Sequence, residues 1–234
     1  MIVVAGIDGC SAGWLCLTRD KLAGTVSLHL LPHIGDLLSL VPTPHIVAID
    51  VPIGLPESGQ RACDQLTRKM LGWPRGASVF SVLPRQVLAA TSREAAAAIR
   101  VEIDGRRVSS QSWAIASKVK EVDDFLLEDM TRHSRLHEVH PELCFWQWNG
   151  RRPMRHSKKT RAGRFEREAL VISTYGHDYS RLRDRPRNAQ YKIDDLLDAF
   201  AALRAAERLA DGDAEVIPES PPSDAHGLPM RILL

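Results

Sequence analysis

The sequence predicts an α/β fold, a mixed sheet flanked by helices, and three observations lead there. Three short apolar runs, residues 2–8, 14–19 and 25–31, are separated by the Gly-containing turns GCSAG and KLAG, a spacing that suits an antiparallel meander. A fourth apolar run, residues 45–50, follows a short helical stretch at 33–40. Strand, helix and strand then form a crossover that sets the fourth strand parallel to an earlier one. Beyond it the chain turns mainly helical.

Taken in order, residues 2–7 form an apolar strand that ends on Asp8 just before Gly9, and VAIDVPIGLP repeats the arrangement, with Asp50 closing the fourth strand. Helices are predicted over residues 59–71, 84–100, 111–132, 160–175 and 192–210, with one further strand at 136–140. The ending IPESPPSDAHGLPM is rich in Pro and reads as an extended surface segment. At 234 residues and 44% hydrophobic content, the chain suits a single domain, residues 1–234.

Composition excludes several function classes. Thirty-one Lys and Arg stand against 29 Asp and Glu, a net charge of +2, so any attraction for a polyanion has to be local. The cysteines at 10, 16, 63 and 144 form no C-x-x-C pair and have no zinc-finger spacing, as expected for inert thiols in a reducing cytoplasm. No leader-like N-terminus and no apolar run of about 18 residues is present, so the expected location is cytoplasmic, without a membrane partner.

Three meander strands followed by a helix and a parallel strand match the topology of a ribonuclease H-like mixed sheet. If strands one and four are neighbours, Asp8 and Asp50 face each other across about 4.8 Å. Carboxylates at that separation repel, and a hard divalent ion such as Mg²⁺ removes the conflict. In KIDDLLDAFAAL, Asp195 and Asp198 share a helix face while Asp194 lies about 100° away. Asp194 or Asp195 serves the helix as a cap or first-turn acid. Asp198 has no such role, which favours it as a metal ligand, with Asp195 as second ligand or as holder of a metal-bound water. In LHEVHPELCFW, Glu138 or Glu142 is a candidate to complete the acids, and His140 to shuttle protons. The spacing there is not that of a zinc protease.

The combination GIDGCSAGW, AIDVPIGLP, RACDQLTRKMLG with SVFSVLPR, EVHPELCFW, KKTRAGRFEREAL and DDLLDAFAAL resembles, in order and over almost the whole chain, the family called domain of unknown function 429. That family is described as predicted ribonuclease H-like nucleases. The resemblance implies a metal-dependent nuclease or phosphodiesterase with Asp8, Asp50 and Asp195 or Asp198 at its site. It implies Mg²⁺ or Mn²⁺ as cofactor, and two ions acting in the hydrolysis of a phosphodiester, one on the attacking water and one on the leaving oxygen. Residues 52–132 exceed the superfamily minimum and are expected to form a mainly helical insertion or cap. The partner would be nucleic acid or a nucleotide; no protein partner is inferable.

Local positive charge is available in RRPMRHSKKTRAGRFER, eight Lys or Arg against one Glu. Lys158, Lys159, Arg161 and Arg164 are candidate phosphate contacts there, and Arg85 in the Pro-bounded SVFSVLPR loop is another. A non-catalytic nucleic-acid or nucleotide-binding module is the alternative. An actin-like ATP-binding phosphotransferase fits less well, because such proteins need two domains.

Overall fold

Residues 2–234 are described by a computed structural model, in which β1 (Val3–Cys10), β2 (Gly13–Asp20) and β3 (Val26–Leu31) form the antiparallel meander. Parallel to β1 run β4 (Ile46–Ile49) and then β5 (Leu136–Glu138), giving a five-stranded mixed sheet in the order β3-β2-β1-β4-β5. Alternation along the strands sorts side chains between two cores. Ala5, Ile7, Val47 and Ile49 pack on one face, and Val4 and Ala48 on the other.

The second face is covered by α8 (Ile193–Asp211), laid along β1, with α6 (Pro141–Trp148) and α7 (Arg161–Arg183) beside it. From Leu196 to Leu203 every residue of α8 is buried. The run is rich in Ala, so the helix backbone approaches the sheet closely, and Gly6 is where it comes nearest. A Cβ there would lie 2.5 Å from Leu203 Cα and closer still to the Ala199 carbonyl and Leu203 amide. The first face is covered by α5 (Ala116–Glu128) and by two helices ahead of it, α2 (Arg85–Leu88) and α3 (Arg93–Asp104). The short α4 (Ser110–Ala114) leads into α5, and α1 (Ala62–Leu71) packs on α6.

Several predicted elements differ in detail. The helix expected over 33–40 is a 3₁₀ turn, Ile34–Ser39. The one expected over 84–100 is two helices, because Ser92 takes an extended backbone and accepts a hydrogen bond from the Ala95 N–H, which starts α3 afresh. The strand expected over 136–140 ends at Glu138, and Pro141 is the first residue of α6, where its missing N–H costs nothing. The final helix of the basic run continues past Tyr175 to Arg183, through non-helical angles at Gly176. The Pro-rich ending lies mostly on the surface, as expected, and is anchored near its two ends. Its β6 (Val216–Ile217) pairs with β7 (Ile232–Leu233), Leu233 bridges Val139 next to β5, and Leu228 is fully buried. Among the described residues no helix is long and apolar enough to cross a membrane.

Candidate functional site

The acids meet because of strand register. Gly6 pairs with Ala48 and Ile7 with Ile49, and the Asp50 N–H donates to the Ile7 carbonyl at 3.0 Å. Asp8 and Asp50 are therefore the next pair along two adjacent parallel strands, and by alternation both project to the face that α8 covers. Asp198 enters from α8 itself, one residue before the Ala199 carbonyl that overlies Gly6. Asp8 and Asp198 are 8% and 4% exposed.

Neighbouring carboxylates raise the proton affinity of Asp8 and Asp50. Burial, followed by the charges of Asp198, Asp50 and Asp195, holds the Asp8 carboxyl well above its ordinary range. Burial and Asp198 push Asp50 up to about 7, against the opposing effects of Lys158 and of a hydrogen bond with Asp8. Lys158 supplies the countercharge: its Nζ lies 2.7 Å from Asp198 Oδ2, and Asp198 first, then Asp50 and Asp8, raise its proton affinity.

The remaining acids are engaged elsewhere. Asp195 Oδ2 accepts from the Lys192 N–H at 2.7 Å, so Asp195 caps α8 within the site. Asp194, nearest the helix start, instead faces Arg164 at 3.6 Å. Glu138 pairs in register with Ile49 and so projects to the opposite sheet face from Asp50. There Arg61 holds both its oxygens at 2.6 and 2.7 Å, and the Ile53 N–H reaches one of them. Arg61 also holds Asp64. This buried ion-paired cluster fixes the loop after β4. Glu142, at the first turn of α6, takes a 2.5 Å bond from Arg167, while its buried Oε2 has no partner. His140 faces the Ser78 carbonyl through Nε2 at 3.5 Å, and its Nδ1 is buried without a partner. Burial holds its imidazole below the ordinary value.

The candidate phosphate contacts divide. Arg85 is tied to Asp123 at 2.7 and 2.9 Å and to Asp224 at 2.7 Å, which makes it a structural link instead of a free cation. Lys158 is held by Asp198. Lys159, Arg161 and Arg164 are exposed, with the Arg161 guanidinium stacked over Phe165 at 5.2 Å. The role of Lys158 as the acids' own countercharge is not legible in a run of eight cations. Sequence reasoning also misses a second basic stretch, RLRDRPRN, although its charge density is visible.

Among the described residues no group of three or more His, Cys, Asp or Glu is placed so that it could hold a metal ion as it stands. The family model described as "Protein of unknown function (DUF429)" matches residues 6–223. No curated protein and no solved structure matches the chain.

Proposed function

The chain belongs to the DUF429 family, and from the acids it gathers we propose that it is a divalent-metal-dependent hydrolase of nucleic-acid phosphodiester bonds on a ribonuclease H-like sheet. The observation that carries this reading is the convergence of Asp8, Asp50 and Asp198 from β1, β4 and α8 on one sheet edge. The strand order β3-β2-β1-β4-β5, with β4 and β5 parallel to β1, supports the fold assignment.

The donor set suits a hard cation in its chemistry: three carboxylates brought to one sheet edge, with one ammonium to balance them. The Lys158 ammonium pairs with Asp198. Asp8, Asp50 and Asp198 would hold Mg²⁺ or Mn²⁺, which when bound neutralises phosphate charge and makes water a better nucleophile. Lys158, with a side chain 38% exposed, would leave Asp198 for a phosphate oxygen, a transfer between anions that its flexible stem permits. His140, with Nε2 towards Ser78 and Nδ1 bare, is the candidate proton acceptor, which burial alone would make a weak one. Asp195 positions α8 by capping it.

The test is hydrolysis of DNA, RNA, branched substrates and nucleotides in Mg²⁺ or Mn²⁺ by wild type and by Asp8→Asn, Asp50→Asn and Asp198→Asn. The expected result is metal-dependent cleavage that each substitution lowers by orders of magnitude while the fold persists. Metal at 100 times its Kd should also stabilise wild type by about 2.7 kcal/mol, and the variants far less. Binding without cleavage would leave the module reading. Wild-type rates in the folded variants would remove the acids from the site.

A further inference from the structure

Beside the start of α8 lies an open cleft of about 670 Å³ lined by five arginines. Arg161 and Arg164 come from the first turn of α7, Arg183 from its last turn, and Arg185 and Arg187 from the connection to α8. The two ends of one helix line the same cleft because α7 turns at Gly176, whose φ of 42° and ψ of −108° interrupt the helical path. The returning half is fastened by the Tyr179 hydroxyl, which donates to Glu168 at 2.7 Å.

The charge in the cleft is not balanced, five arginines standing against Glu168 and Asp184. Arg164 faces Asp194 at 3.6 Å and Arg183 faces Glu168 at 3.7 Å. Among the described residues no carboxylate pairs with Arg161, Arg185 or Arg187. Like charges held together on a surface are relieved by a polyanion. Phe165 stands on the cleft wall, 51% exposed, with Arg161 against its ring. An exposed aromatic among guanidinium groups is a stacking platform for a base whose face is uncovered.

The cleft is also attached to the acids. The Ser11 hydroxyl, three residues beyond Asp8, points to the Ala189 and Gln190 carbonyls at 2.7 Å, and the Ala12 N–H donates to Gln190 at 3.1 Å. These bonds pin the arginine-bearing connection to the β1–β2 turn. Lys158, three residues before Arg161, reaches Asp198. A strand with its phosphates in the cleft would run on towards the three carboxylates.

We infer that this cleft, formed by the two ends of α7 and the connection to α8, binds the backbone of single-stranded nucleic acid and leads it to the acidic site. The fate of the strand at the acids rests on the hydrolase reading; binding in the cleft does not. The test is fluorescence anisotropy of a fluorescein-labelled oligothymidylate in EDTA, where metal-dependent cleavage is absent. Replacing Arg161, Arg185 and Arg187 together by Gln should weaken binding at least about tenfold. It should also flatten the slope of log K against log salt by about 0.7 for each phosphate no longer neutralised, or about 2 in all. Phe165→Ala should weaken binding with the slope unchanged, and an unlabelled duplex of matching sequence should compete less well than the single strand. Wild-type affinity and slope in the triple variant would overturn the cleft assignment, and equal competition by duplex would overturn the preference for single strands. Arg185→Gln alone, at an exposed side chain, carries the same test if the triple variant fails to fold. An enzyme that binds in EDTA yet never cleaves with metal would contradict the hydrolase reading and leave the cleft intact.

Discussion

Asp50 is an acid held where ionisation is unfavourable. Burial and Asp198 push its carboxyl up to about 7 from an ordinary 3.8. Between those values the folded chain binds more protons than the unfolded one, so this group's contribution to stability falls as pH rises through the window, and the full penalty applies above about 7. Asp50→Asn removes the penalty. With metal chelated, denaturant unfolding should show little difference between variant and wild type near about pH 4, and an advantage to the variant of up to about 4 kcal/mol near about pH 8. A difference that stays flat with pH would mean that Asp50 ionises as an ordinary surface acid does.

At the scale of elements, α8 depends on one missing methyl group. Gly6 lies under the Ala199 carbonyl and the Leu203 amide, backbone atoms that no rotamer change can move aside. Gly6→Ala should therefore lift α8 from β1 and cost about 3 kcal/mol or more, at the upper end for overpacking. Because Asp198 rides on the same turn, the variant should also lose the metal-induced rise in melting temperature even where it still folds. Calorimetry with and without Mg²⁺ reads both effects. An unchanged melting temperature would show that the sheet and helix can separate without loss.

Over the whole molecule, the C-terminal segment acts as a strap. Asp224, its side chain wholly buried, accepts from the N–H groups of Leu55, His226 and Leu228 and from Arg85, which in turn grips Asp123 on α5. Burial by itself would raise the Asp224 carboxyl, and those bonds more than offset it, holding it below its ordinary value. Asp224→Ala leaves several donors unpaired and should cost about 3–5 kcal/mol in denaturant unfolding. Arg85→Gln should destabilise less and leave the affinity for oligonucleotide unchanged. A loss of affinity without loss of stability would return Arg85 to the phosphate contacts.

The sequence by itself determined the sheet and the pairing of its acids. Apolar runs of strand length, each ended by Asp, carry register with them, because period-two alternation commits every side chain of a strand to a face. Asp198 was legible as well, since an acid one turn inside a small apolar helix has no local partner to explain it. Only the tertiary structure decided between Asp194 and Asp195 as the cap of α8, because both lie in the first turn and a rotation of about 100° separates them. Only the tertiary structure set Lys158 on Asp198, Arg85 on Asp224 and Glu138 on Arg61. Long charged side chains choose partners that lie close in space and far apart in sequence, such as Glu138 and Arg61, 77 residues apart. The arginine cleft belongs to the same class: its residues come from two stretches of chain that are neighbours only because α7 bends at Gly176.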